Sequence, residues 1–258
     1  MMEENVIEKS NDELSSDISP TVDTKIIRDK LKSEKLKEAG IDEAKGLLNL
    51  AKIMQDFLEK IYRLNKKELE FPIDIQLVAR TLGFQIKRES LNESEMDQFG
   101  KILSQVIITE EERWIQVDNK IGYKTQQYAI AHSIARFLLL DQEKGAYEKS
   151  YAIPLMPSEI TDVVADKVAL FLLLPLDLFK EEFKKYLLSI KDYPLDVDEW
   201  LSYLSDRSQV NMFNLAIGYQ QLKQAAYSER MDKFYAYLDS LKDEGNLLFH
   251  DKDEKIFN

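Results

Sequence analysis

Cysteine is absent from this chain of 258 residues, which rules out disulfide staples, thiolate metal ligands and a cysteine nucleophile and suits a reducing compartment. Histidine is nearly as scarce, with two residues in all, so a site built from several imidazoles is excluded. Long apolar runs are missing too: the longest, Val168–Leu176, is about half of what a bilayer span requires. The opening residues, MMEENVIEKSNDELSSD, are acidic where a signal peptide is basic and have no apolar stretch behind them, so a cytoplasmic protein is expected. Basic charge is in deficit. The 35 Lys and Arg against 47 Asp and Glu leave a net charge of −12, which repels phosphate backbones. Neither a G-x-x-x-x-G-K phosphate loop nor a G-x-S-x-G nucleophile elbow occurs.

What is there reads as a folded, helix-rich protein: 44% apolar and 32% charged residues, with only 8 Gly and 6 Pro. Residues 1–22 are polar without apolar periodicity and are expected to be a disordered acidic tail. N-terminal helices are expected over 23–69, a core over 70–190 and a further helical region over 191–258. The basic stretch Lys25–Lys37 lacks interleaved aromatics and predicts a solvated helical face, with a partner or nucleic-acid contact as the alternative. Between about Ile41 and Asn65, the residues Leu47, Leu48, Ala51, Ile53, Met54, Leu58, Ile61 and Leu64 recur at helical spacing and predict a buried stripe. A short helix over Ile73–Leu82 ends at Gly83. The period then changes. Phe84–Arg88, Lys101–Thr109 and Arg113–Val117 read as three strands, the last two forming a hairpin around Glu110–Glu112. Helices follow at about Lys124–Leu140, after Ser158 up to Pro175, and at Leu178–Leu188, Asp196–Leu204, Gln209–Ala226 and Ser228–Lys242. The sum is an α+β fold, mainly helical, with a small three-stranded antiparallel sheet and extra helices at both ends.

The segment that carries chemistry is Tyr128-Ala-Ile-Ala-His132-Ser133-Ile-Ala-Arg136. In zinc peptidases a helical H-E-x-x-H sets two imidazoles one turn apart on one ion, and its Glu activates the bound water. Here Ser133 stands in the place of the Glu and Arg136 in that of the second His. Downstream runs Asp162-Val-Val-Ala165-Asp166-Lys-Val168-Ala169-Leu-Phe-Leu172-Leu173-Leu174-Pro175, and upstream Pro72-Ile-Asp-Ile-Gln-Leu-Val-Ala-Arg-Thr-Leu-Gly83. Together these three segments resemble the ImmA/IrrE family of zinc metallopeptidases, whose patterns run approximately P-V-D-x-x-x-L-A-x-x-L-G, F-T-x-A-H-E-x-G-H-x-L-L and E-x-x-A-N-x-F-A-x-x-L-L-M-P. The resemblance covers about residues 45–180. It implies a zincin-like core, Asp162 at the family's third zinc ligand, and a role near helix-turn-helix repressors of mobile elements or stress genes, which family members cleave.

Counting donors decides what to expect of the metal. A catalytic zinc takes about three protein ligands and an open position. His250 sits in a polar stretch expected to be exposed, which leaves His132 with Asp162 and Asp166. A guanidinium offers no lone pair, so Arg136 is expected to replace the ion by pairing with Asp162 or Asp166; a residual metal site and no contact at all are the alternatives. Ser133 has no basicity with which to activate water. The expected protein is therefore a catalytically degenerate regulatory module without cofactor. It would bind a protein partner, with a helix-turn-helix repressor as the candidate, and neither membrane nor nucleic acid directly. An active metallopeptidase using His132, Asp162 and Asp166 with zinc, and a purely structural helical interaction protein, are the competing readings.

Overall fold

The structure is a computed structural model, and it describes residues 24–35, 44–91, 102–109, 112–139, 149–154, 160–189 and 196–243. The expected tail 1–22, Ser158 and His250 lie outside these residues. Elements follow in the order α1 (Thr24–Lys35), α2 (Ala44–Leu64), α3 (Ile75–Thr81), β1 (Gln85–Glu89), β2 (Ile102–Ile108), β3 (Arg113–Asp118), α4 (Tyr123–Leu139), β4 (Lys149–Pro154), α5 (Ile160–Leu173), α6 (Leu176–Ser189), α7 (Val197–Ser208) and α8 (Met212–Asp243). The fold is α+β, mostly helical with one small sheet.

Local chemistry sets several boundaries. Asp74 caps α3 by accepting the Leu77 amide at 2.9 Å. At the other end Gly83 takes φ +82°, and the amides of Gly83 and Phe84 bond back to Arg80 and Ala79 at 2.9 Å each, closing the helix with a left-handed residue. Helix α2 ends the same way, but with Lys66 at φ 54° in the position glycine usually fills. The α2 stripe is buried as expected from Leu47 to Ile61 except for the half-buried Ile53, but Leu64 is turned out to solvent, because the helix stops there.

The sheet departs from expectation in two ways. Its order is β1-β3-β2-β4, so a fourth strand completes it, and β1 runs parallel to β3. Only the β2–β3 and β2–β4 pairs are antiparallel. A parallel neighbour is possible because the chain leaves β1, forms β2 and returns as β3 between them, an arrangement that alternation within each strand cannot reveal. The hairpin expected between β2 and β3 is present, with Thr109 and Glu112 bonded across its ends. Ser104, Val106, Ile115 and Val117 are fully buried on the sheet face that α4 covers.

Around this unit, α5 lies beside α4, and α2 packs between α5 and α8. One hydrophobic cluster runs from Ile27 of α1 to Ala225 of α8. Gly218 is where α8 comes close to α5: an added Cβ would stand 2.5 Å from Leu170 Cδ1. The basic face expected on α1 is only partly solvated. Arg28 is buried over the Phe137 ring at 4.6 Å, where burial and then the neighbouring Arg113 push its proton affinity down.

Helices α6 and α7 are tied by Glu182, whose carboxylate accepts Tyr203 Oη at 2.9 Å, Arg207 Nε at 3.1 Å and Lys185 Nζ at 2.7 Å. Burial alone would push this carboxyl up. The bonds from Arg207, Lys185 and Tyr203 outweigh it and hold the group at about 2. Nearby, Trp200 is fully buried among Phe179, Phe183, Tyr186 and Tyr203. The break expected at Ser205–Ser208 falls instead at Gln209–Asn211, with Gln209 at φ 58°. The two C-terminal helices expected at Gln209–Ala226 and Ser228–Lys242 are one continuous helix, since nothing between them removes a backbone donor or frees a carbonyl.

Candidate functional site

Helix α4 has no glycine or proline from Tyr123 to Leu139, and Ala129, Ala131 and Ala135 are buried without bulk, so neighbouring elements approach it closely on several sides. Successive residues on a helix point about 100° apart, and that rotation divides the expected site.

His132 faces α5. Its Nε2 lies 3.2 Å from Asp166 Oδ1, and the ring is almost wholly buried while the carboxylate is about one-third exposed, at 33%. Tyr128, one turn before His132, donates its hydroxyl to the same Asp166 oxygen at 2.6 Å. Burial first, and then the charge and hydrogen bond of Asp166, raise the Tyr128 phenol well above its ordinary range, so it serves as a donor and not as a base. The other ring nitrogen of His132, Nδ1, is buried and has no hydrogen-bond partner among the described residues. Val163, 46% exposed, lies three residues before Asp166 on the same helix, beside its exposed side.

Ser133, about 100° round the helix, faces β2 instead. Its Oγ is 2.9 Å from Ser104 Oγ on β2, both side chains are fully buried, and Ser104 Oγ lies 3.3 Å from the Ala129 carbonyl. The position that carries the water-activating carboxylate in H-E-x-x-H is thus sealed between helix and sheet. A carboxylate there would lose its hydration and find only the Ser104 hydroxyl beside it, a strongly unfavourable placement.

Arg136 lies one turn beyond His132 and is half-buried. Asp162 belongs to α5, but its side chain lies outside the described residues, and the expected Arg136–Asp162 pairing with it. The structure therefore brings together His132 and Asp166, adds Tyr128 and sends Ser133 to a different neighbour. Tyr128 was missed as a member of the site, although its i−4 spacing from His132 was a usable signal. Ser104 carried none, because its meeting with Ser133 is purely tertiary.

Of the three expected zinc donors, the described residues show two, His132 and Asp166. One imidazole and one carboxylate fall short of three protein ligands, and among the described residues no group of three or more His, Asp or Glu is placed to hold an ion. Among those residues, too, no helix is long and apolar enough to cross a membrane. In comparisons with known proteins, no family model matches the chain, and no curated protein or solved structure gives a significant match.

Proposed function

We propose that this chain is a degenerate relative of the ImmA/IrrE peptidases, an intracellular regulatory module that binds a protein partner without cleaving it. The partner proposed is a helix-turn-helix repressor. The reading is supported above all by the burial of Ser133 against Ser104, which gives the general-base position a packing role. It is further supported by the four-stranded sheet beside α4 and by the engagement of His132 Nε2 with Asp166. In this reading the His132–Asp166–Tyr128 cluster is a positioning device. It joins α4 to α5, and the exposed side of Asp166 with Val163 faces the partner.

Elemental analysis of the dialysed full chain tests this directly. The expected result is zinc far below one equivalent, and no cleavage of a helix-turn-helix repressor with added zinc. Stoichiometric zinc, or chelator-sensitive cleavage abolished by His132→Ala, would overturn it in favour of a metallopeptidase using His132, Asp162 and Asp166. That alternative has one observation on its side, the meeting of His132 and Asp166 in space.

A further inference from the structure

Helix α8, with 32 residues, is the longest described, and it carries apolar side chains on two faces. Leu215, Tyr219, Leu222 and Ala225 are buried in the core. On the other face Phe213, Ile217 and Tyr227 are 60%, 58% and 63% exposed, Gln220 and Gln224 are exposed between them, and Met231 is half-buried. These residues follow one another at steps of four and three, the spacing of a coiled-coil seam. In the sequence the same steps continue to Phe234, Leu238 and Leu241. That makes four heptads on one helix, or about 42 Å at 1.5 Å per residue.

Charge says what can cover this seam. The chain carries −12, so a second copy is repelled from most of its surface. From Met212 to Ser228, however, α8 holds no acidic residue, and the positions flanking the seam are Asn214, Ala216, Gln221, Lys223 and Ser228. We propose that this face pairs with the same face of a second copy of the chain, as a parallel two-stranded coiled coil along α8. Because the core side of α8 faces away, the two protein bodies stand on opposite sides of the seam. Parallel, in-register pairing uses the whole stripe. It places Gln220 and Gln224 opposite their own copies, where the amides bond each other, and Lys223 beside Ser228 of the other copy, so no like charges meet. The inference is independent of the His132 cluster.

The test is the solution mass of the full chain by light scattering at micromolar concentration. Twice 30.1 kDa is expected. The variant Ile217→Glu should return the mass to that of one chain with an unchanged circular dichroism spectrum, since Ile217 has no place in the core. The chain contains no cysteine, so Gln220→Cys under an added oxidant should give a single intermolecular disulfide across the seam. A one-chain mass for the natural sequence, or a dimer indifferent to Ile217→Glu, would overturn the proposal. A dimer in which Gln220→Cys fails to cross-link would overturn the parallel register.

Discussion

Acid should loosen α6 from α7 through one carboxylate. Glu182 is buried, yet it accepts hydrogen bonds from Arg207, Lys185 and Tyr203, and its proton affinity falls from the ordinary 4.5 to about 2. Each tenfold change in affinity between folded and unfolded chains is worth about 1.4 kcal/mol, so the ceiling is about 3 kcal/mol. Arg207 and Lys185 are themselves 47% and 60% exposed; water screens their attraction and brings the expected contribution to about 1–2 kcal/mol. The direction follows from which state binds the proton first. The unfolded chain protonates near 4.5 and the folded chain near 2, so the stabilisation is complete above 4.5 and is lost as the pH falls toward 2. Urea unfolding followed by fluorescence reads it, because Trp200 sits in the same helix pair, with its ring centroid 5.2 Å from that of Tyr186. Glu182→Gln keeps the shape and removes the charge. It should be less stable than the natural chain by about 1–2 kcal/mol at neutral pH, with the gap narrowing as the pH falls below about 4.5 and closing only toward pH 2. A gap that stays constant across that range would refute the electrostatic account and leave only shape or hydrogen bonding.

Three further perturbations have defined outcomes by the same unfolding assay. Ser133→Ala should cost about 1 kcal/mol by removing its hydrogen bond with Ser104, which keeps its own bond to the Ala129 carbonyl, whereas the double change with Ser104→Ala should cost more than the single one because that second bond goes too; Ser133→Glu should cost about 2 kcal/mol or more, because it buries a carboxylate beside a single hydroxyl. Gly218→Ala should destabilise by about 1–3 kcal/mol, since its Cβ would overlap Leu170, and shortening that residue with Leu170→Val in the same chain should recover part of the loss. Lys66→Gly should stabilise by about 0.5–1 kcal/mol, because the left-handed backbone there costs a lysine what it does not cost glycine.

The helices were legible because their causes are local. The apolar period of α2, the Asp74 cap and the Gly83 stop of α3, and the turn between β2 and β3 are all written within a few residues of where they act. Strand β4 was not legible: Lys149–Pro154 lies in a stretch of Tyr, Ser and Pro that reads as loop, and it becomes a strand only because β2 offers an open edge. The parallel β1–β3 pair escaped for a related reason, since strand neighbours are chosen by the path of the chain between them. Two helices were expected at Gln209–Ala226 and Ser228–Lys242 where one in fact continues, as serine weakens a helix without breaking it. At the site, the residue types excluded a complete H-E-x-x-H in advance. Where each remaining group points was beyond them.

By itself, then, the order of amino acids determined the helical segments, the strand hairpin and the inventory of electron-pair donors, because hydrogen-bond capping, periodic burial and side-chain chemistry act over a turn or two of chain. Only the tertiary structure decided that His132 meets Asp166 and Tyr128 while Ser133, its immediate neighbour, is shut away with Ser104. Adjacent helical residues point to different surroundings, and which surroundings lie there depends on elements about 30 residues distant, brought close by burial of a shared core.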